Sequence, residues 1–139
     1  MKNIADKSID QMSIGDKSSF KRTVTNEDII EFARISGDIN PLHLDAKYAA
    51  STKFKKRIAH GMFLGALCSR LVGVYLPGRR CLYLSQDLVF KNPVYIGDTV
   101  TVTGRVKHKS NAARIIEIAI EIKNKKKLAA YGTAKVQIL

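Results

Sequence analysis

The sequence predicts an α+β fold of one domain, residues 1–139, in which a curved antiparallel sheet wraps a long central helix. Three observations predict it. The C-terminal half alternates apolar and polar residues between turn signals, the pattern of strands with one buried face. One stretch, Ile58 to Tyr75, is apolar around nearly its whole helical circumference, so something must cover it. The chain has 139 residues, enough for one real core and the usual length of one domain.

Residues 1–13 are polar and read as a loose lead-in. Ser19 to Thr25 suits a first strand. Thr25 then stands as a helix N-cap with Asp28 three residues on, a capping box with Asp where Glu or Gln is usual. The helix that follows places Ile29, Ile30, Phe32, Ala33 and Ile35 mostly on one face, and Gly37 stops it. Pro41 cannot continue it and biases Asn40 away from helical backbone, so Asp38 and His43 fall on a bent, non-helical segment. Asp45 to Ala50 reads as a helical turn, and Ser51 to Arg57 as an exposed basic loop. The central helix ends at Leu76-Pro77-Gly78. Strands follow at Leu82–Phe90, around Val100–Val106, at Ile116–Ile122 and at Ala130–Ile138, with turns at Gly97-Asp98, Ser110-Asn111 and Asn124.

Composition narrows the classes. Apolar residues make up 45% and charged residues 26%, as in ordinary globular chains. No apolar run is long enough to span a bilayer, and the N-terminus lacks the apolar core of a signal peptide; the expectation is a cytoplasmic protein with no membrane insertion. Cys68 and Cys81 read as reduced, buried small residues. The three histidines lack a metal-ligand spacing, so no metal is expected. The net charge of +12 favours anionic partners. Nucleic acid is not expected, because the chain shows no helix-turn-helix, zinc site or aromatic strand platform.

Chemistry-bearing residues gather between Ser36 and Ser69. Asp38 and His43 on one turn can act together on a water molecule; on spacing alone, a turn cap and a surface histidine fit as well. Asn40 either holds that pair or is a plain Asn-Pro turn residue. If the central helix starts at His60-Gly61, its first N–H groups are unpaired at the positive end of the dipole and can polarise a carbonyl; on these residues alone a tight loop-to-helix junction is the better explanation. Ser69 either bonds back to the preceding turn or faces the site. Lys53, Lys55, Lys56 and Arg57 are a solvated loop or a phosphate-binding rim.

The run Gly37-Asp38-Ile39-Asn40-Pro41-Leu42-His43, followed by Arg57-Ile58-Ala59-His60-Gly61-Met62 and later by Tyr83–Val94 and Gly97-Asp98, resembles the MaoC-like hydratase family. These are hot-dog-fold (R)-specific enoyl-CoA hydratases and related 3-hydroxyacyl-ACP dehydratases. The resemblance runs from about Ile14 to the C-terminus. It implies a catalytic pair Asp38 and His43, an oxyanion donor at Gly61, positioning by Asn40 and Ser69, and an acyl pocket wall including Val72. It implies a homodimer acting on an acyl-CoA or acyl-ACP thioester, with an acyl carrier protein as a further partner. No cofactor is implied beyond the CoA or phosphopantetheine of the substrate. Two other classes compete. A hot-dog thioesterase generally carries a carboxylate on the central helix, and Met62 to Val74 contains none. A non-catalytic acyl-CoA-binding module is permitted by the charge.

Overall fold

The computed structural model describes residues 3–139. β1 (Lys17–Thr23) leads into α1 (Asn26–Ser36) through a complete capping box. Thr25 Oγ1 accepts the Asp28 N–H at 3.1 Å, and the Asp28 carboxylate accepts the Thr25 N–H at 3.0 Å. Arg22 pairs with the same carboxylate, so the shorter Asp serves where Glu is usual. Gly37 ends the helix in the left-handed region at φ 76°. The buried face of α1 is narrower than its composition suggested. Ile29 and Ala33 are buried and Phe32 half-buried, whereas Ile30 and Ile35 stand in solvent.

Short helices α2 (Pro41–Leu44) and α3 (Ala46–Ser51) follow, then α4 (Gly61–Arg70), which continues as a π-helical segment, Leu71–Tyr75. The central helix thus begins at Gly61 and not at Ile58. The reason is pairing: Ile58 bridges Tyr95, and the Ala59 N–H donates to the Val94 carbonyl at 2.7 Å.

β2 (Cys81–Gln86), β3 (Val89–Phe90), β4 (Thr99–Ser110), β5 (Ile115–Asn124) and β6 (Lys127–Ile138) complete one six-stranded antiparallel sheet. Its order is β1-β4-β5-β6-β2, with β3 also against β6. Val100, Val102 and Val106 share the inner face with Ile116, Ile118, Ile120 and Ile122, and with Ala134, Val136 and Ile138. These alternate positions are at most 1% exposed and pack with Leu67, Leu71 and Val72 of the central helix. Gly104 sets how closely helix and sheet approach. A Cβ there would lie 2.6 Å from Leu71 Cδ2, a separation carbon atoms do not adopt.

Two expectations are corrected. The lead-in is not loose over its described part, residues 3–13. Met12 is 1% exposed and Ile9 8%, and the Ala5 backbone donates to Val74 and accepts from Arg79, both at 2.9 Å. A few apolar residues in a polar stretch, together with backbone pairing to the loop after the helix, anchor it. Residues 1–2 lie outside the described part. Nor is the central helix covered all round: Met62 is 61% exposed, and Ala66 and Ser69 share its open face. Among the described residues no helix is long and apolar enough to cross a membrane.

Candidate active site

The sharp turn after α1 builds the first half of the site. Asp38 stays outside any helix, and the Asn40 N–H donates to its carboxylate at 3.1 Å. The Asn40 side chain then accepts the Leu42 N–H at 2.9 Å and caps α2, with Pro41 in the first helical position where it is tolerated. His43 therefore sits on a short helix, correcting the non-helical placement; proline that ends one helix begins another. Asn40 touches both members of the pair's segment: its backbone holds Asp38 and its side chain starts the helix that carries His43.

His43 Nδ1 lies 2.8 Å from the Ile58 carbonyl oxygen. A carbonyl only accepts, so Nδ1 carries the proton. In the neutral ring Nε2 is then an acceptor; in the imidazolium it is a donor. One donor atom each from Asp38, His43 and His60 lie within 4.8 Å of one another. Spacing along the chain gave no hint of this trio, which is a set that could hold a metal ion. One nitrogen of each imidazole is already engaged with a carbonyl.

His60 is the functional-site residue that sequence reasoning passed over, having used it only as the partner of Gly61. It is 2% exposed. Its ring packs against His43 with centroids 3.9 Å apart and planes tilted by 30°, and Phe32 packs at 4.9 Å. The structure marks it where the sequence did not: His60 holds the N-cap position of α4, where Ser, Thr, Asp or Asn is usual, and makes no side-chain cap. A residue that declines the local bond is engaged elsewhere.

There is no side-chain cap, and although the Phe63 N–H turns back to the His60 carbonyl at 3.1 Å, the Gly61 N–H has no partner among the described residues, at the positive end of the helix. Gly61 lines a cavity of about 380 Å³ together with His43, Lys53, Leu64, Phe90 and Lys91. A Cβ on Gly61 would meet the Phe90 ring at 3.3 Å, so glycine keeps the N–H approachable. A second cavity of about 390 Å³ lies under Met62, Gly65, Ala66, Tyr83 and Leu88, and Phe90 lines both.

The other predicted residues divide. Lys53 lines the Gly61 cavity, joined by Lys91, a residue of the Tyr83–Val94 run to which the sequence assigned no role. Lys55, Lys56 and Arg57 line a separate cleft with Tyr95 and Ile96. Arg57 also bonds to Asn26 and, at 3.4 Å, to the Leu44 carbonyl. Ser69 is exposed, eight residues along α4 from Gly61, or about 12 Å. It makes no hydrogen bond to Asp38 among the described residues. Val72 is fully buried in the core and lines neither cavity described here; the π-helical turn that carries it faces the sheet.

Residues 10–127 match the model of the MaoC like domain. The chain belongs to this family. The MaoC-like chain is 46% identical over 99 residues to an (R)-specific enoyl-CoA hydratase of Rhodospirillum rubrum, covering 68% of this chain and 69% of that protein. It is 44% identical over 94 residues to the (R)-specific enoyl-CoA hydratase of Aeromonas caviae, covering 68% and 70%. The solved R-hydratase of Pseudomonas aeruginosa superposes with a TM-score of 0.92 at 37% identity, over 97% of this chain and 87% of that one. The hot-dog arrangement of helix and sheet is shared with these neighbours.

Proposed function

We propose that this MaoC-like chain adds water to trans-2-enoyl-CoA to form (R)-3-hydroxyacyl-CoA, and runs the reverse dehydration. The observation that carries the reading is that Asp38 lies within 4.8 Å of His43 and His60, while His43 and the helix start at Gly61 line one cavity.

The chemistry needs three things: a base for water, an acid for C2, and a donor for the thioester oxygen. Gly61 N–H polarises the carbonyl, which draws charge from C3 and stabilises the enolate-like transition state. Asp38 takes a proton from the water as its oxygen bonds to C3. Imidazolium His43 gives its Nε2 proton to C2 and stays held through Nδ1 by Ile58. The proton on Asp38 then returns to His43, so the net change is one water added. The two groups act as a coupled pair. Lys53 and Lys91 at the cavity suit the phosphates of the carrier. Crotonyl-CoA tests the reaction: its conjugated absorbance falls and (R)-3-hydroxybutyryl-CoA accumulates with no free thiol. Thiol release would instead mark a thioesterase. Activity confined to enoyl-ACP would make the chain a carrier-protein dehydratase.

The working unit in this reading is a homodimer. Leu82 and Leu84 on edge strand β2 are 50% and 44% exposed, and Met62 on the open face of α4 is 61% exposed. A second copy would cover both, and Ser69 lies on that face. Light scattering should give twice the 15.4 kDa subunit mass; a monomer at micromolar concentration would contradict it.

A further inference from the structure

We infer that His60 is a positioning residue for the reaction, its Nε2–H holding the Asp38 segment against the start of α4 while its ring backs His43. The inference rests on the hydratase reading of the same site.

Among the described residues His60 is the one polar or charged residue that is buried. Buried polar side chains are normally satisfied. His60 is satisfied at one nitrogen only. Its Nε2 lies 3.0 Å from the Asp38 carbonyl, and its Nδ1 has no partner. Because a carbonyl only accepts, Nε2 carries the proton and Nδ1 is left as an unpartnered acceptor. An apolar ring would fill the same space without that unpartnered nitrogen. Packing therefore does not favour histidine here; the single N–H does.

That N–H spans 22 residues and ends on Asp38. It starts from the residue before Gly61. Two positions earlier, the Ile58 carbonyl holds His43. The strip Ile58–Gly61 thus grips His43 through a carbonyl, Asp38 through an imidazole, and offers the thioester oxygen an amide. The ring packs against both Phe32 and His43, with centroids 4.9 and 3.9 Å away, which restricts its rotation. Loss of the N–H frees the Asp38 backbone to drift relative to Gly61. A displacement of about 1 Å between reacting groups costs about 10²-fold in rate.

Two substitutions separate positioning from packing. His60→Phe keeps an aromatic ring and removes the N–H. His60→Gln loses the ring and keeps an amide N–H near the place of Nε2–H. With crotonyl-CoA, His60→Phe should lower kcat about 10²-fold and leave KM within about threefold, while His60→Gln should stay within about tenfold of wild type. Thermal midpoints should not follow that order, since the phenylalanine variant has no unpartnered nitrogen. A phenylalanine variant with wild-type kcat, or equal losses in both variants, would overturn the inference. If wild type leaves every enoyl thioester unchanged, the hydratase reading fails by itself. Hydrogen exchange over residues 37–43 then decides: faster exchange in His60→Phe than in wild type and His60→Gln supports the role, and equal exchange in all three overturns it.

Discussion

Cys68 shows how far one side chain can be read into a measurable property. It sits in the wall of α4 at 0% exposure, and burial pushes its thiol up from an ordinary 9.0 to about 12. Above the ordinary value the unfolded thiol gives up its proton while the folded one keeps it. The unfolded state then binds fewer protons, so stability falls as pH rises from about 9 to about 12, by up to about 1.4 kcal/mol per pH unit. Urea midpoints across that range should decline less in Cys68→Ala than in wild type; parallel declines would contradict the assignment. The same burial explains why the thiol has no place in the chemistry: the thiolate is the reactive form, and here it is disfavoured. At the site, residue identity alone was a partial guide. Asp38, Asn40, His43 and Gly61 were legible because a Gly-Asp-x-Asn-Pro-x-His run and a His-Gly pair are local patterns. His60 and Lys91 were not, because their roles depend on contacts across the fold, from His60 to Asp38 and from Lys91 to the cavity that Gly61 lines.

Elements were legible where a pattern repeats within one strand or helix. From Ile116 to Ile122 the isoleucines of β5 occupy every second position, and each of them is buried. The capping box and the left-handed Gly37 bounded α1 before any contact was known. Burial of whole faces was less legible, since Ile30, Ile35 and Met62 are apolar yet exposed. Hydrophobicity states what a residue tolerates; neighbours decide what it touches. The join between helix and sheet depends on Gly104, which β4 presents to Leu71. Leu71 is itself fully buried and has no room to retreat. Gly104→Ala should therefore destabilise the fold by about 1–3 kcal/mol through overpacking. Denaturant titration measures it, and an unchanged midpoint would mean that the helix rides further from the sheet than described.

At the scale of the whole molecule, the sheet and α4 act as a frame that holds two unrelated segments together. The turn after α1 supplies a carboxylate and an imidazole; the helix start supplies the Gly61 N–H; the β2–β4 region closes the cavity with Phe90 and Lys91. The formal net charge of +12 attracts anionic thioester carriers to this surface, an effect that weakens as salt rises. The Asp28 carboxyl is penalised by burial yet held below its ordinary value by its Thr25 and Arg22 partners, so its contribution to stability is present at neutral pH and is lost on strong acidification.

The assay of wild type against Asp38→Asn on crotonyl-CoA, followed as loss of the conjugated enoyl absorbance, bears most directly on the proposed chemistry. Asp38 is exposed and its carboxylate accepts one backbone N–H, so the amide should fold as wild type does. Hydration by wild type and a fall of about 10²–10⁴-fold in kcat for Asp38→Asn, at unchanged thermal midpoint, is the expected result. Hydration at the same rate in both proteins would remove Asp38 from the reaction and, with it, the mechanism proposed for this site.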